Sequence, residues 1–466
     1  MAVAEPLWTS TEIAEATGGA ASAPFAVSGV AFDSREVGQG DLFVAMKGET
    51  TDGHRFIDKA FGQGAAGAIV SEPVAHPHIL VPDSAAALEA LGKASRKRMG
   101  GKVIGVTGSV GKTGTKEALF QALDRAAPGQ VHRSVKSYNN HVGVPLSLAR
   151  MPRGSAYGVF EMGMNHAGEL SALTRQVRPH VAIVTAIAPA HIEFFGTEAK
   201  IAEAKAEIFE GLQPGGTAII PYDSPHVALL YNRAERHAAR ILTFGASPQA
   251  DVCAREAVPA PGGGTLVTAT LPDAELCFTV AAPGDHWVSN ALAVLAAVDA
   301  VGGDLAAAGL ALAEMPGLPG RGERRILPVA GGQALLIDES YNANPLSMTA
   351  TLKQLGREKA DRRIAILGGM RELGDRSVEL HAGLVEPLSA GRVDYVILVG
   401  AEMAPLADAL GVTIPYAHVA DTAAAIPLIQ SEIRAGDAIL VKGSNGVGLS
   451  RLVAALGENA GEGKTN

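Results

Sequence analysis

The sequence predicts an α/β protein of three domains. These are a small N-terminal α/β domain over residues 1–100, a central parallel-sheet domain with a phosphate loop over 101–318, and a C-terminal Rossmann-like domain over 319–466. Three observations predict it. The 466 residues exceed what one hydrophobic core organises, and at roughly 100–200 residues per domain they ask for two to four. From Lys102 onward, short and near-continuous apolar runs alternate with amphipathic helical segments, the rhythm of a parallel sheet covered on both faces. That rhythm breaks at MPGLPGRGERR, residues 315–325, whose glycines and prolines mark a linker.

Each element can be justified in turn. Thr9 and Glu12 form a capping-box pair ahead of a helix to Thr17, stopped by Gly18-Gly19. Strand-like runs follow at Ala26–Phe32 and Asp41–Met46, then a helix–strand unit over His54–Val70. A basic helix end, Lys93 to Arg98, closes the first domain. The central strands are KVIGVTG, YGVFEMG, HVAIVTAI and GTAIIPYD, with helices at Lys116–Ala127 and Glu198–Leu212. The triple glycine Gly262–Gly264 suggests a hairpin insertion around 251–282, and a helix follows at His286–Val301. QALLIDES, RRIAILGG, DYVILVG and DAILVKGS form the third set of strands, and the last ten residues, GENAGEGKTN, are expected to fray.

Composition narrows the class of protein. Hydrophobic residues at 47% against 19% charged exclude disorder, and the 55 glycines and 26 prolines follow no fixed period, so they mark turns rather than a collagen helix. A net charge of −9 argues against nucleic acid or an anionic membrane as partner, since both need broad positive surfaces. Cys253 and Cys277 lack any disulfide framework or zinc-ligand spacing and are expected as reduced, small hydrophobes. The opening residues carry Glu5, Glu12 and Glu15 with no basic stretch, so no signal peptide is expected. With no apolar run of about 18 residues to span a bilayer, a cytoplasmic location is expected.

The strongest chemical signal is VTGSVGKT at Val106–Thr113, placed after a strand and opening a helix. Backbone N–H groups freed by Gly108 and Gly111, with Ser109 between them, can point at phosphate oxygens at a helix N-terminus. Lys112 would reach the outer phosphates and Thr113 would offer its hydroxyl to Mg²⁺. The alternative, an ordinary glycine turn, does not call for GKT. Val106 occupies the position where the common nucleotide pattern has its first glycine, and the next strand ends in Glu161 rather than Asp, so this is not a generic GTPase or motor.

Further candidates fall at loop ends after strands, where open α/β sheets place their sites. They are Asn139 and Asn140 in YNNHVGVP, Glu161 in EMGMNHAGE as a hard oxygen ligand, and His191 in APAHIEFFGT. A lone histidine is as readily structural as functional. Lys205 is more pointed, because its i−4, i+3 and i+4 neighbours are Ile201, Ile208 and Phe209. A lysine on an apolar stripe must snorkel, find an anion or be modified. DESYNANP at Asp338–Pro345 and Lys442-Gly443-Ser444 complete the set, each weak alone.

In combination these residues resemble a known family. TGSVGKT, YNNHVGVP, EMGMNHAGE, AHIEFFGT, AKAEIFEGL, the Asn290 helix, LPGRGERR and DESYNANPLSM stand in the order found in the Mur ligases. The resemblance covers nearly the whole chain, including LWTSTEIAEATGG and DSREVGQGDLFVAMKGE, and points to the branch that adds D-alanyl-D-alanine. It implies a first domain that binds UDP-N-acetylmuramoyl-tripeptide, a second that binds ATP and a third that binds D-Ala-D-Ala. The reaction implied is amide formation through an acyl phosphate. It implies two Mg²⁺ ions, one at Thr113 and Glu161 and one at His191 and a carbamylated Lys205. Asn290, Arg321 and Asp338 match nucleotide-contacting positions of the family, and Ser34 and Arg35 match its UDP-side segment. Tyr341, Asn342 and Asn344 fall at a signature of this branch, between nucleotide and dipeptide. A monomer is implied. The alternatives are a ligase adding the third amino acid, whose DNPR string this chain lacks, a folylpolyglutamate synthase, which lacks SYNANPxSM, and an inactive muropeptide-binding regulator, which the intact Lys112, Glu161, His191 and Lys205 disfavour.

Overall fold

The computed structural model describes residues 5–48, 51–261, 263–315 and 317–462. Gly262 of the triple glycine, Pro316 of the linker and residues 463–466 lie outside them.

Three sheets divide the chain. The first has the order Ala20–Ala21, His78–Leu80, Gly67–Val70, Asp41–Val44 and Gly29–Ala31, parallel except for its first strand. Its opening helix, Ser10–Thr17, forms where the capping box places it. Thr9 accepts from the Glu12 N–H, the Glu12 carboxylate accepts from the Thr9 N–H, and Gly18 ends the helix in the left-handed region at φ 68°. The run Ala26–Phe32 splits into two short strands, Ala26–Val27 pairing with Trp8–Thr9 and Gly29–Ala31 joining the sheet.

The central sheet has nine strands. From one edge they are Val131–Arg133, Tyr157–Glu161, Lys102–Thr107, Val181–Val184, Thr217–Pro221, Arg240–Gly245, Val252–Pro259, Thr265–Leu271 and Ala274–Val280. The first seven are parallel, and Thr265–Leu271 pairs antiparallel with the strand on either side of it. The hairpin expected at the triple glycine is present, Val252–Pro259 pairing antiparallel with Thr265–Leu271, but as an insertion it is corrected: it belongs to a meander that continues the same sheet, since Phe244 and Gly245 pair with Val252 and Cys253. Lys102–Thr107 sits between strands that follow it to either side, which opens a crevice at its carboxyl end.

The third sheet runs Glu323–Val329, Gly332–Glu339, Asp437–Lys442, Arg362–Gly368, Tyr395–Val399 and Tyr416–Val419, parallel except for its first strand. The predicted linker thus ends inside an antiparallel edge strand. The expected fraying at residues 457–462 is likewise corrected, because a helix spans Ser450–Glu462. Apolar strands of the second and third sheets contribute to one connected core. It includes Ile192 and Phe195 after one strand and Met370 and Leu373 after another. No helix among the described residues is long and apolar enough to cross a membrane.

Candidate functional site

A cleft of about 610 Å³ lies where the carboxyl ends of the second and third sheets face each other. Of the predicted residues, Ser109, Gly111, Lys112, Thr113, Asn139, Glu161, His191, Asn290, Arg321, Tyr341, Asn342 and Asn344 line it. Gly108, Lys205, Asp338, Asn140, Ser34 and Arg35 are not among its lining residues.

The phosphate loop is built by glycines that tolerate no side chain. A Cβ on Gly108, at φ 150°, would stand 1.9 Å from the Thr185 hydroxyl, and one on Gly111, at φ 85°, would stand 2.7 Å from Asn290 Oδ1. Ser109 Oγ donates to the Ala188 carbonyl at 3.0 Å and accepts its N–H at 3.1 Å, tying the loop to the segment that leads to His191. The helix Lys112–Ala126 follows at once, so its free N–H groups face the cleft. Lys112 Nζ donates to the Gly108 carbonyl at 2.7 Å. Burial holds its pKa below the usual lysine value against the pull of Glu161, with the Arg321 charge adding to the depression.

Glu161 ends a strand in register with Val106. Its buried carboxylate accepts from the Thr113 hydroxyl and the Asn139 amide, both at 2.8 Å. Two hard oxygens, one of them anionic, meet beside the loop, which is a donor set suited to Mg²⁺. Lys205 lies behind the cleft wall and does not snorkel. It is 1% exposed among Ile201, Ile208 and Phe209, all fully buried. Burial first, then the charge of Lys112, pushes its pKa well below the ordinary lysine value. The helix expected to Leu212 keeps α geometry only over Glu198–Ala206 and tightens to a 3₁₀ turn over Glu207–Gly211.

His191 lies in the left-handed region at φ 62°, as does Glu372 at φ 61°, a cost of about 1–3 kcal/mol each. His191 Nδ1 is in ion-pair contact with Glu372 Oε2 across the two sheets, although off the axis of a hydrogen bond. The histidine holds the Glu372 carboxyl below its usual range.

Several predicted side chains are committed to backbone. Asp338 accepts from the Gly320 and Ser340 N–H groups, both at 3.0 Å, and so fixes the linker turn. Asn344 caps the helix Pro345–Arg357, accepting from the Ser347 N–H at 2.9 Å. Asn140 accepts from Gly143 N–H at 2.9 Å, and Asn342 from Ala343 N–H at 2.9 Å. Arg321 stacks its guanidinium 4.2 Å over the Tyr341 ring.

In the first domain Ser34 is buried, and Arg35 is bidentate to Asp33, whose pKa that contact lowers to about 2. The neighbouring Glu36 accepts from the Tyr138 hydroxyl at 2.8 Å and pairs with Lys136, which joins this segment to the loop carrying Asn139.

Sequence reasoning missed Glu372, Arg371 and Trp287, all on the cleft wall. The glycine pair ending RRIAILGG was the available signal for the first two. Lys442, weak in sequence, is buried, donates to the Asn342 carbonyl at 3.0 Å and pairs with Glu339 at 3.3 Å. Burial lowers its pKa against the Glu339 charge.

Three family models match in succession: "Mur ligase family, catalytic domain" over residues 26–97, "Mur ligase middle domain" over 106–298 and "Mur ligase, glutamate ligase domain" over 324–445. The UDP-N-acetylmuramoyl-tripeptide–D-alanyl-D-alanine ligase of Escherichia coli strain K12 is 34% identical over 94% of this chain and 95% of its own length. Among solved structures, a MurF from Acinetobacter baumannii superposes with a TM-score of 0.84 at 31% identity, covering 97% of this chain and 99% of that one. MurF from Thermotoga maritima in complex with ADP gives 0.77 at 28% identity, covering 93% and 98%. Three matched domains in order and full-length relatives above 30% identity, around a cleft built on a phosphate loop, place this chain in the Mur ligase family.

Proposed function

We propose that this chain is an ATP-dependent ligase that joins D-Ala-D-Ala to UDP-N-acetylmuramoyl-tripeptide, giving the pentapeptide, ADP and phosphate. The observation that carries it is the convergence of Lys112, Thr113, Glu161, His191 and Asn290 on one cleft, in a chain whose full-length relatives carry that ligase name. The substrate carboxylate attacks the γ-phosphorus of ATP, ADP leaves, and the dipeptide amine then attacks the acyl phosphate and expels phosphate.

Two anions must meet in the first step, so the chain's work is positioning and charge neutralisation. The Gly108–Gly111 amides hold the phosphates, and Lys112 places its ammonium among them. Mg²⁺, when bound, supplies positive charge to the phosphate oxygens. Thr113 and Glu161 suit one ion, and His191 with a carbamylated Lys205 suits a second. The donor set fits. A buried lysine whose pKa is depressed favours its free amine, the form that adds CO₂ to give a carbamate anion and release a proton. Asn290, beside Gly111, and Arg321 are assigned to the nucleotide. Asp338 is assigned to the nucleotide ribose and Asn139 and Asn140 to the substrate, while Tyr341, Asn342 and Asn344 border the dipeptide. Ser34 and Arg35 belong to the UDP end of the first domain, and the chain acts as a monomer in the cytoplasm.

The test is phosphate release by purified protein with UDP-N-acetylmuramoyl-tripeptide, ATP and D-Ala-D-Ala. Release is expected only with all three. Release with a folate and glutamate instead, or muropeptide binding without turnover, overturns the assignment.

A further inference from the structure

We propose that Glu372 is a positioning residue for His191, so that the third sheet completes a metal position carried by the second. The inference rests on the reading above that His191 faces a metal. His191 follows the strand Val181–Val184 and Glu372 follows Arg362–Gly368, so their contact joins two sheets. Both residues occupy the left-handed backbone region, and neither is a glycine. Such outliers persist where the surroundings over-determine them, and they gather at functional sites.

The surroundings here are built on both sides. The Glu193 N–H donates to the Glu372 carbonyl at 3.3 Å. A Cβ on Gly374, at φ 53°, would meet the Glu193 backbone at 3.3 Å. Behind the loop, fully buried His381 accepts the Met370 N–H at 2.9 Å, and Ser444 accepts the Arg371 N–H at 3.0 Å while donating its own N–H to Gly369. The loop 369–374 is thus a fixed platform with one carboxylate aimed at one imidazole. His191 Nδ1 is closed to solvent, whereas its side chain keeps 24% exposure, so the accessible part of the ring lies away from Nδ1. A carboxylate at Nδ1 selects the tautomer protonated there and leaves Nε2 with its lone pair for a cation. Neither sheet supplies both groups.

The experiment titrates Mn²⁺, with a non-hydrolysable ATP analogue, into the full chain and follows bound Mn²⁺ by electron paramagnetic resonance. His191→Ala should weaken one of two Mn²⁺ sites. Glu372→Gln should weaken the same site by about 10–100-fold, and the double variant should be no worse than His191→Ala alone. Glu372→Gly removes the carboxylate while relieving the backbone. It should match the Glu372→Gln loss of Mn²⁺ and keep or raise the melting temperature, which a merely structural contact would not do. Parent-like Mn²⁺ binding by both Glu372 variants overturns the inference. If His191→Ala also binds like the parent, the metal reading of His191 falls with it; if His191→Ala alone is weakened, that reading stands and only the role of Glu372 fails.

Discussion

An ammonium taken out of water costs several kcal/mol unless something compensates, and Lys205 sits buried where the charge acting on it is that of another lysine. Burial and the Lys112 charge both favour the neutral amine, which is also the form that reacts with CO₂. Lys205→Ala should lower turnover by about 10²–10³-fold, the scale of losing one preorganised charge contact, with partial rescue by short carboxylic acids that refill the anionic position. Phosphate release measures both, and a fully active Lys205→Ala refutes the carbamate. A different residue contributes to acid stability. His132 Nε2 donates to the Ser147 carbonyl at 2.7 Å, and burial lowers the pKa of the ring to about 4. The unfolded chain therefore binds a proton near pH 6.5 that the folded chain refuses until about pH 4. Stability from this group is whole above the upper value and is lost as pH falls through the window. Urea midpoints should fall between those limits, and the fall should be shallower in His132→Asn.

At the scale of elements, the phosphate loop is the least forgiving. Gly108→Ala drives a methyl group against the Thr185 hydroxyl in a backbone region that favours glycine. It should weaken ADP binding by about tenfold or more, reflecting roughly 1–3 kcal/mol of strain, in a calorimetric titration with an unchanged circular dichroism spectrum. Elements whose cause is local were legible in the sequence. The first helix is set by Thr9, Glu12 and Gly18, the loop by its glycines after an apolar strand, and the apolar surroundings of Lys205 by helical spacing. Elements whose cause is distant were not. Val252–Pro259 reads as a hairpin strand ahead of the triple glycine, and only its pairing with Arg240–Gly245 shows that it extends the main sheet. Asp338, Asn140 and Asn344 are a different case: apart from Gly320, the N–H groups that their oxygens accept lie two or three residues along the chain, and a short polar side chain that caps backbone reads in sequence like one that contacts a ligand. For Glu372 the glycine pair after its strand marked a loop, but its partner His191 lies 181 positions earlier, beyond any local pattern.

Across the whole molecule, the second and third domains share one buried cluster. The first keeps its own core but recruits Leu146 and Ala149 from the helix Gly143–Ala149. Trp8 reinforces that seam, its indole N–H donating to the Ala149 carbonyl at 2.9 Å and its ring lying 3.5 Å beneath the Arg98 guanidinium. With the substrates divided among the domains as proposed, catalysis calls for closure, so the radius of gyration from solution scattering should fall when ATP analogue and muropeptide are both present. Superimposable curves would count against it. The chain has only two tryptophans, and they stand in opposite settings. Trp8 is sealed in the seam, while Trp287 lines the cleft, its ring 3.0 Å from where a Cβ of Gly114 would stand in the phosphate-loop helix. The molecule therefore carries its own optical probe: in Trp8→Phe the remaining emission comes from one indole at the nucleotide's doorstep, and its change on mixing with ATP gives the binding rate without any attached dye.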